Sequence, residues 1–424
     1  MQFSRKKNFV VVFLATLPLI FIFFFAKPVF LTEADSFIAF SNICKDVMSK
    51  VYSKHFVYDT IKEVDSVEPI NPAALPSKLP NPPSIVKAVY VTGWSAGNKN
   101  YLNYLNQLFK TTQINAVVVD VKDYSGIVSY KSNAPKVREY KTYQAQIPDI
   151  NALVKSLHDQ NIYVIGRIAV FEDPALAKAR KDLAVYDKAQ TTDILNPVLW
   201  QDNNHLSWVD PASKEVWDYN ISIAKDALMH GFDEINFDYI RFPSDGKTEN
   251  MGFPIWDAKQ ERHLVIKEFF QKLRESLPDE KISADIFGQT TINTDDMGIG
   301  QILEDAFEYF DYICPMVYPS HYVSGFIGYN NPSQYPYEVI KYSIDSAVKR
   351  RVAYDKLINK DAGELPKKMA QIRPWLQDFN MGADYTADMV KQEIKALEDS
   401  IKKEYVGYLM WNPSNIYTKE AIAK

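Results

Sequence analysis

From Ser84 onward, apolar and polar positions along the chain follow two alternating rhythms. Short runs with a period of two predict strands at 86–93, 115–122, 162–170, 233–240, 281–288, 311–318, 369–376 and 405–411. Between them, stretches with helical periodicity predict helices at 100–110, 149–160, 213–230, 256–277, 299–310, 335–350 and 386–402. Ala212–Ser213 opens the 213–230 helix and Gly231 stops it, while Pro148–Asp149 opens the 149–160 helix. Helical crossovers join parallel neighbours, so eight strands in this rhythm predict an α/β (β/α)8 TIM barrel. A doubly wound open sheet is the alternative. It is disfavoured because no strand runs into a G-x-G-x-x-G or P-loop. Insertions after strands two, three and four (124–148, 171–211 and 244–255) would build the cleft, with a hairpin around Gly126 in the first.

The pattern is sharpest at Gly231–Pro243, GFDEINFDYIRFP. Ile235, Phe237 and Tyr239 alternate with Glu234, Asn236 and Asp238, so one face is apolar and the other polar. A polar row on a barrel strand points to the mouth, with Asp238 uppermost and Arg241 close behind. The same parity turns Asp120 and Lys122 of strand two inward, Arg167 of strand three, and Asn236 and Asp238 of strand four. Strand five adds Ser283 and Asp285, strand six Met316 and Tyr318, strand seven Arg373, Trp375 and Gln377, and strand eight Trp411.

The amino terminus has another character. Arg5, Lys6 and Lys7 precede the uncharged run Phe9–Ala26, FVVVFLATLPLIFIFFFA. Its length, close to the minimum for a bilayer span, and the basic residues before it predict an anchor with the amino terminus in the cytoplasm. Phe25, Ala26, Lys27 and Pro28 make a poor cleavage site, which favours an uncleaved signal anchor over a cleaved signal. Prolines at 69, 72, 76, 80, 82 and 83 then predict an extended, semi-rigid spacer. The expected organisation is a basic end and transmembrane anchor (1–30), a stalk and Pro-rich linker (31–84) and the barrel (85–424), giving a single-pass protein of the cell membrane whose barrel faces the extracellular or periplasmic side.

Composition narrows the chemistry. A net charge of −5 over 424 residues, without a long Lys/Arg run, argues against nucleic acid as partner. Cys44 and Cys314 lie far apart and neither has a neighbour at metal-ligand spacing. The six histidines are scattered, H-E-x-x-H and G-x-S-x-G are absent, and neither a metal nor another cofactor is expected. Glycoside hydrolysis, by contrast, needs two carboxyl groups facing one bond. Asp238 is expected to be the ionised nucleophile or base and Asp285 the acid, with Asp120 able to exchange roles with Asp285. Arg167 or Arg241 would keep Asp238 ionised. Trp94, Trp375, Trp411 and Tyr318 would supply flat faces for sugar rings. A non-catalytic carbohydrate-binding or wall-tethering barrel, and a metal-dependent hydrolase of another type, are the competing expectations.

VKAVYVTGWSAG on strand one, NAVVVDVKDYSG on strand two and GFDEINFDYIRFPSDG on strand four resemble a glycosyl-hydrolase-like family of bacterial exported proteins, formerly a domain of unknown function. ADIFG, DYICPMVYPSHY and GYLMWNPSN are similar too, and the resemblance runs from Ile85 to Tyr417. It implies a TIM barrel acting on envelope or extracellular polysaccharide. Asp120, Lys122, Asp123, Asp238 and Arg241 are the positions that match its motifs. Related retaining enzymes carry the nucleophile at the end of strand four, as Asp238 would be. Their acid is often Glu on strand five or Asp on strand six; here strand five carries Asp285 and strand six ends in Met-Val-Tyr-Pro.

Overall fold

The computed structural model describes residues 75–360 and 366–424. The apolar run at Phe9–Ala26 and most of the stalk and linker lie outside the described residues. Among the described residues, no helix is long and apolar enough to cross a membrane.

Eight parallel staves form the core: β1 Val86–Val91, β2 Ala116–Lys122, β3 Tyr163–Ala169, β4 Glu234–Asp238, β5 Lys281–Phe287, β6 Tyr312–Met316, β7 and β8 Gly407–Trp411. Stave β7 comes in two pieces, Gln371–Ile372 and Trp375–Gln377, on either side of Arg373 and Pro374. Pro374 has no N–H for the ladder, so pairing lapses there. β8 pairs with β1 and with the second piece of β7, and both pieces of β7 reach β6, which closes the barrel. All eight expected strands are present, because β-branched runs with a period of two leave the backbone little choice.

Around the staves run α1 Lys99–Thr111, α2 Ile150–His158, α3 Lys214–Met229, α4 Arg262–Ser276, α5 Leu303–Ala306, α6 Pro336–Ile358 and α7 Ala387–Ile401. Asp149 and Ser213 cap α2 and α3 as expected, accepting the amides of Ala152 and Val216. Two helices are shorter than their periodicity suggested. Asp210 takes the amides of Ile255 and Trp256, which holds that stretch as loop until α4 starts at Arg262. Gly298 and Gly300, both at positive φ, delay α5.

Alternation splits the interior into two apolar sets. Val117, Val119, Val121 and Ile235 face the helices, whereas Val86, Ala88, Ala116, Val118, Ile165 and Leu409 fill the barrel. Leu79, from the end of the Pro-rich stretch, joins the barrel set at its amino-terminal end. Its amide donates to Asp233 at 2.6 Å, and Lys78 pairs with Glu280. Gly231 is needed at this junction: its φ is +88°, and a Cβ would sit 2.7 Å from the Pro76 carbonyl oxygen.

Candidate active site

Parity and register together build the site. Asp120 is level with Arg167, Arg167 with Asn236, and Asn236 with Ser283, so the polar side chains of β2 to β5 rise in one band. Arg167 is the hub. Its Nη1 donates to Asp120 Oδ1 at 2.7 Å, while Nη2 and Nε donate to Asp238 Oδ2 at 2.6 and 3.1 Å. Nε also lies 4.0 Å from Asp285 Oδ2. One guanidinium therefore serves three carboxyl groups.

Their surroundings differ. Asp238 is the most open, its side chain 10% exposed against 3% for Asp120 and 1% for Asp285. Its Oδ1 accepts the amide of Tyr239 at 2.6 Å. Tyr239 pays for that contact with a φ of +53°, a left-handed conformation that strains a bulky residue. Asp285 sits deeper. Its Oδ1 accepts Asn236 Nδ2 at 2.8 Å and Trp375 Nε1 at 2.7 Å, while Oδ2 has no hydrogen-bond partner. Burial, and then the charge of Asp238, push its pKa well above the usual carboxylate range, which favours the protonated form of Asp285. Burial likewise raises Asp120 to about 6 against the pull of Arg167, and Tyr90 donates its hydroxyl to it. A carboxyl group held by two guanidinium bonds beside one whose pKa is raised is an arrangement able to give and take protons.

Several expected positions have other roles. Lys122 does not point into the barrel. The register slips between Asp120 and Lys122, so Lys122 pairs with Ile168, a helix-facing residue. Its ammonium meets Asp173 at 2.6 Å and lies over the Tyr219 ring of α3. Arg373 is inside, yet low: its amide bonds to Ile313, and its guanidinium pairs with Glu234 at the first residue of β4. Trp375 is buried and spends its indole N–H on Asp285. It offers no open face to a sugar. Trp411 stacks on Tyr90, centroids 4.0 Å apart, and both rings lie within 6 Å of the Arg167 guanidinium. Tyr318 is buried edge-on to Phe379 and His321. Of the four expected stacking residues, Trp94 is the open one, 40% exposed.

Asp123 shapes the turn after β2, accepting the amide of Ser125 at 2.9 Å, and Lys122 with Val128 closes the expected hairpin around Gly126. Asn236 supports Asp285 from below. Arg241 does not hold Asp238; Arg167 does. Arg241 instead lies between the rings of Trp208 and Phe287, each 4.7 Å away.

Tyr90, Tyr239 and Glu172 belong to the site and were not expected there. Tyr90 shares the inward parity of Ala88, so the rule used for the other staves finds it. Burial pushes Tyr239 far up, and Glu172, buried just past β3, adds to it; Tyr124 is raised to about 12 by burial and then by Asp123, Asp120 and Glu172. As a loop residue Glu172 has no periodicity to reveal it. Among the described residues, no group of three or more His, Cys, Asp or Glu side chains is arranged to hold a metal ion.

A crystal structure of a hypothetical protein from Ruminiclostridium thermocellum is 40% identical over 50% of this chain and 98% of its own, with a TM-score of 0.42. The glycoside hydrolase domain of PgaB (BpsB) from Bordetella bronchiseptica is 11% identical, with a TM-score of 0.54 over 80% of this chain and 99% of its own. At that identity the likeness concerns the fold. No functionally curated protein matches the chain. The model of one family, described as "Putative glycosyl hydrolase domain", matches residues 88–417, which takes in every stave but the first two residues of β1. The chain belongs to that glycosyl hydrolase family.

Proposed function

We propose that the protein hydrolyses glycosidic bonds in a cell-envelope or extracellular polysaccharide, held at the membrane through Phe9–Ala26 with the barrel outside. The observation that carries this reading is the sharing of Arg167 by Asp120, Asp238 and Asp285. Asp238, the most open of the three, is the nucleophile or the base that activates water. Asp285 supplies the proton that the departing sugar oxygen takes, and Asp120 is the reserve for that role. Arg167 stabilises charge on Asp238 while the anomeric centre becomes positive. The stacked rings of Tyr90 and Trp411 lie 5.6 and 5.5 Å from the guanidinium and help to position it.

Enclosure of Asp285, at 1% exposure, favours a second reading: a barrel that binds carbohydrate without cutting it. An acid must touch the leaving oxygen, and Asp285 reaches it only if the site opens around a bound glycan. The test uses the full chain and its Asp238→Asn variant with a panel of bacterial envelope polysaccharides, counting new reducing ends. Cleavage by the wild type and its loss in the variant support hydrolysis at Asp238. Binding without cleavage by either protein supports the second reading.

A further inference from the structure

Three cations reach the carboxyl-terminal side of β2 to β4: Lys122, Arg167 and Arg241. The first two are matched to carboxylates, Lys122 to Asp173 and Arg167 to Asp120 and Asp238. Arg241 is not. It is 4% exposed, and among the described residues no carboxylate oxygen lies within 4.0 Å of it. Only Nη1 makes hydrogen bonds, to the Phe242 carbonyl and to Ser244 Oγ, each at 3.1 Å. The rings of Trp208, Phe287 and Tyr239 surround the guanidinium at 4.7, 4.7 and 5.6 Å. Cation–π contacts fix its position, but a ring face accepts nothing from the in-plane N–H groups. Among the described residues, Nε and Nη2 are left without a protein hydrogen-bond acceptor and remain available to a ligand. The planar donor edge of an arginine, left unmatched three residues after Asp238, fits a two-oxygen anion.

We propose that Arg241 binds an anionic substituent of the glycan, a uronate carboxylate or a phosphate ester, next to the bond presented to Asp238. The inference rests on the glycosidase reading for the glycan, and it narrows the substrate to an acidic polysaccharide. Position supports it. Arg241 follows Asp238 by three residues, and Phe287 beneath it ends β5, the stave that carries Asp285. The protein's own net charge of −5 opposes unspecific capture of a polyanion, so affinity for one has to come from a local site.

The test is binding to the full-length Asp238→Asn protein at physiological ionic strength. The probes are polygalacturonate, the same polymer after carboxyl reduction, and a glycan linked through phosphodiesters. At least tenfold tighter binding of one or both charged polymers than of the reduced one is expected. Preference for the uronate or for the phosphodiester identifies the anion. Arg241→Gln, made in the same background, should abolish the preference, and Arg241→Lys should keep part of it. Equal affinity for charged and reduced polymer overturns the inference, as does no affinity for either charged polymer, or a preference that survives Arg241→Gln. The comparison of polymers stands even if Arg241→Gln fails to fold. Reducing ends released by the wild type are scored separately. Charged polymer bound but never cut removes the hydrolase reading alone, and neutral polymer cut without preference for charge removes this inference alone.

Discussion

Two buried arginines cross the same barrel at different heights, matched to their carboxylates in different ratios. Low in the barrel, Arg373 faces Glu234 alone, and Ser283 and Tyr163 complete the Glu234 oxygens at 2.6 and 3.3 Å. Higher up, Arg167 faces Asp120, Asp238 and Asp285 together. The residue types are alike and so is the burial. One charge against one closes a structural layer in which no proton need move. One against three cannot be neutral unless protons are held on carboxyl groups, and the pKa values of Asp285 and Asp120 are raised. Chemistry is built here by stoichiometry more than by residue choice.

Substitutions should separate the two layers. Asp238→Asn is expected to lower the rate of reducing-end release by three orders of magnitude or more, about 4 kcal/mol of barrier. Its melting temperature should move little, since Arg167 keeps Asp120. Glu234→Gln should do the reverse. It strands a buried guanidinium, and loss of about 3–5 kcal/mol in denaturant unfolding is expected. A Glu234→Gln protein as stable as the wild type would break the comparison at its lower end.

Charge imbalance also sets a pH dependence. Asp120 titrates at about 6 in the fold, above its ordinary value of 3.8. The folded state therefore binds more protons than the unfolded one between those values. Its contribution lowers stability as pH rises through that window. Asp120→Asn should flatten this part of the pH–stability curve; an unchanged slope would assign it to another group. Trp411→Ala gives the smallest effect, about a tenfold fall in turnover at unchanged substrate affinity, because it loosens Tyr90 and Arg167 without touching a carboxylate. A larger effect on affinity than on turnover would instead make Trp411 a sugar-stacking residue.

Much of this was legible in the sequence, and the failures have physical reasons. A period of two places every stave and turns Asp120, Arg167, Asn236, Asp238 and Asp285 to the same side. Parity fails at Lys122 because one extra residue in the ladder reverses the side-chain order, and a bulge leaves no mark in hydrophobicity. It gives direction but not height, so Arg373 read as a mouth residue until register set it beside Glu234. Trp375 and Trp411 read as open faces because partners far away in the sequence, Asp285 and Tyr90, are invisible to spacing. Glu172 lies in a loop past β3, where periodicity stops. Tyr239 reads as part of the apolar row, whereas the strand ends one residue earlier, at Asp238, and the chain turns to a positive φ.

The most direct test of the unequal ratio is the protonation state of Asp285. Infrared difference spectra between the wild type and Asp285→Asn at neutral pH should show loss of a protonated carboxyl band. Loss of an ionised carboxylate band would mean that Arg167 balances its partners without a held proton, and the distinction between the two layers would fall.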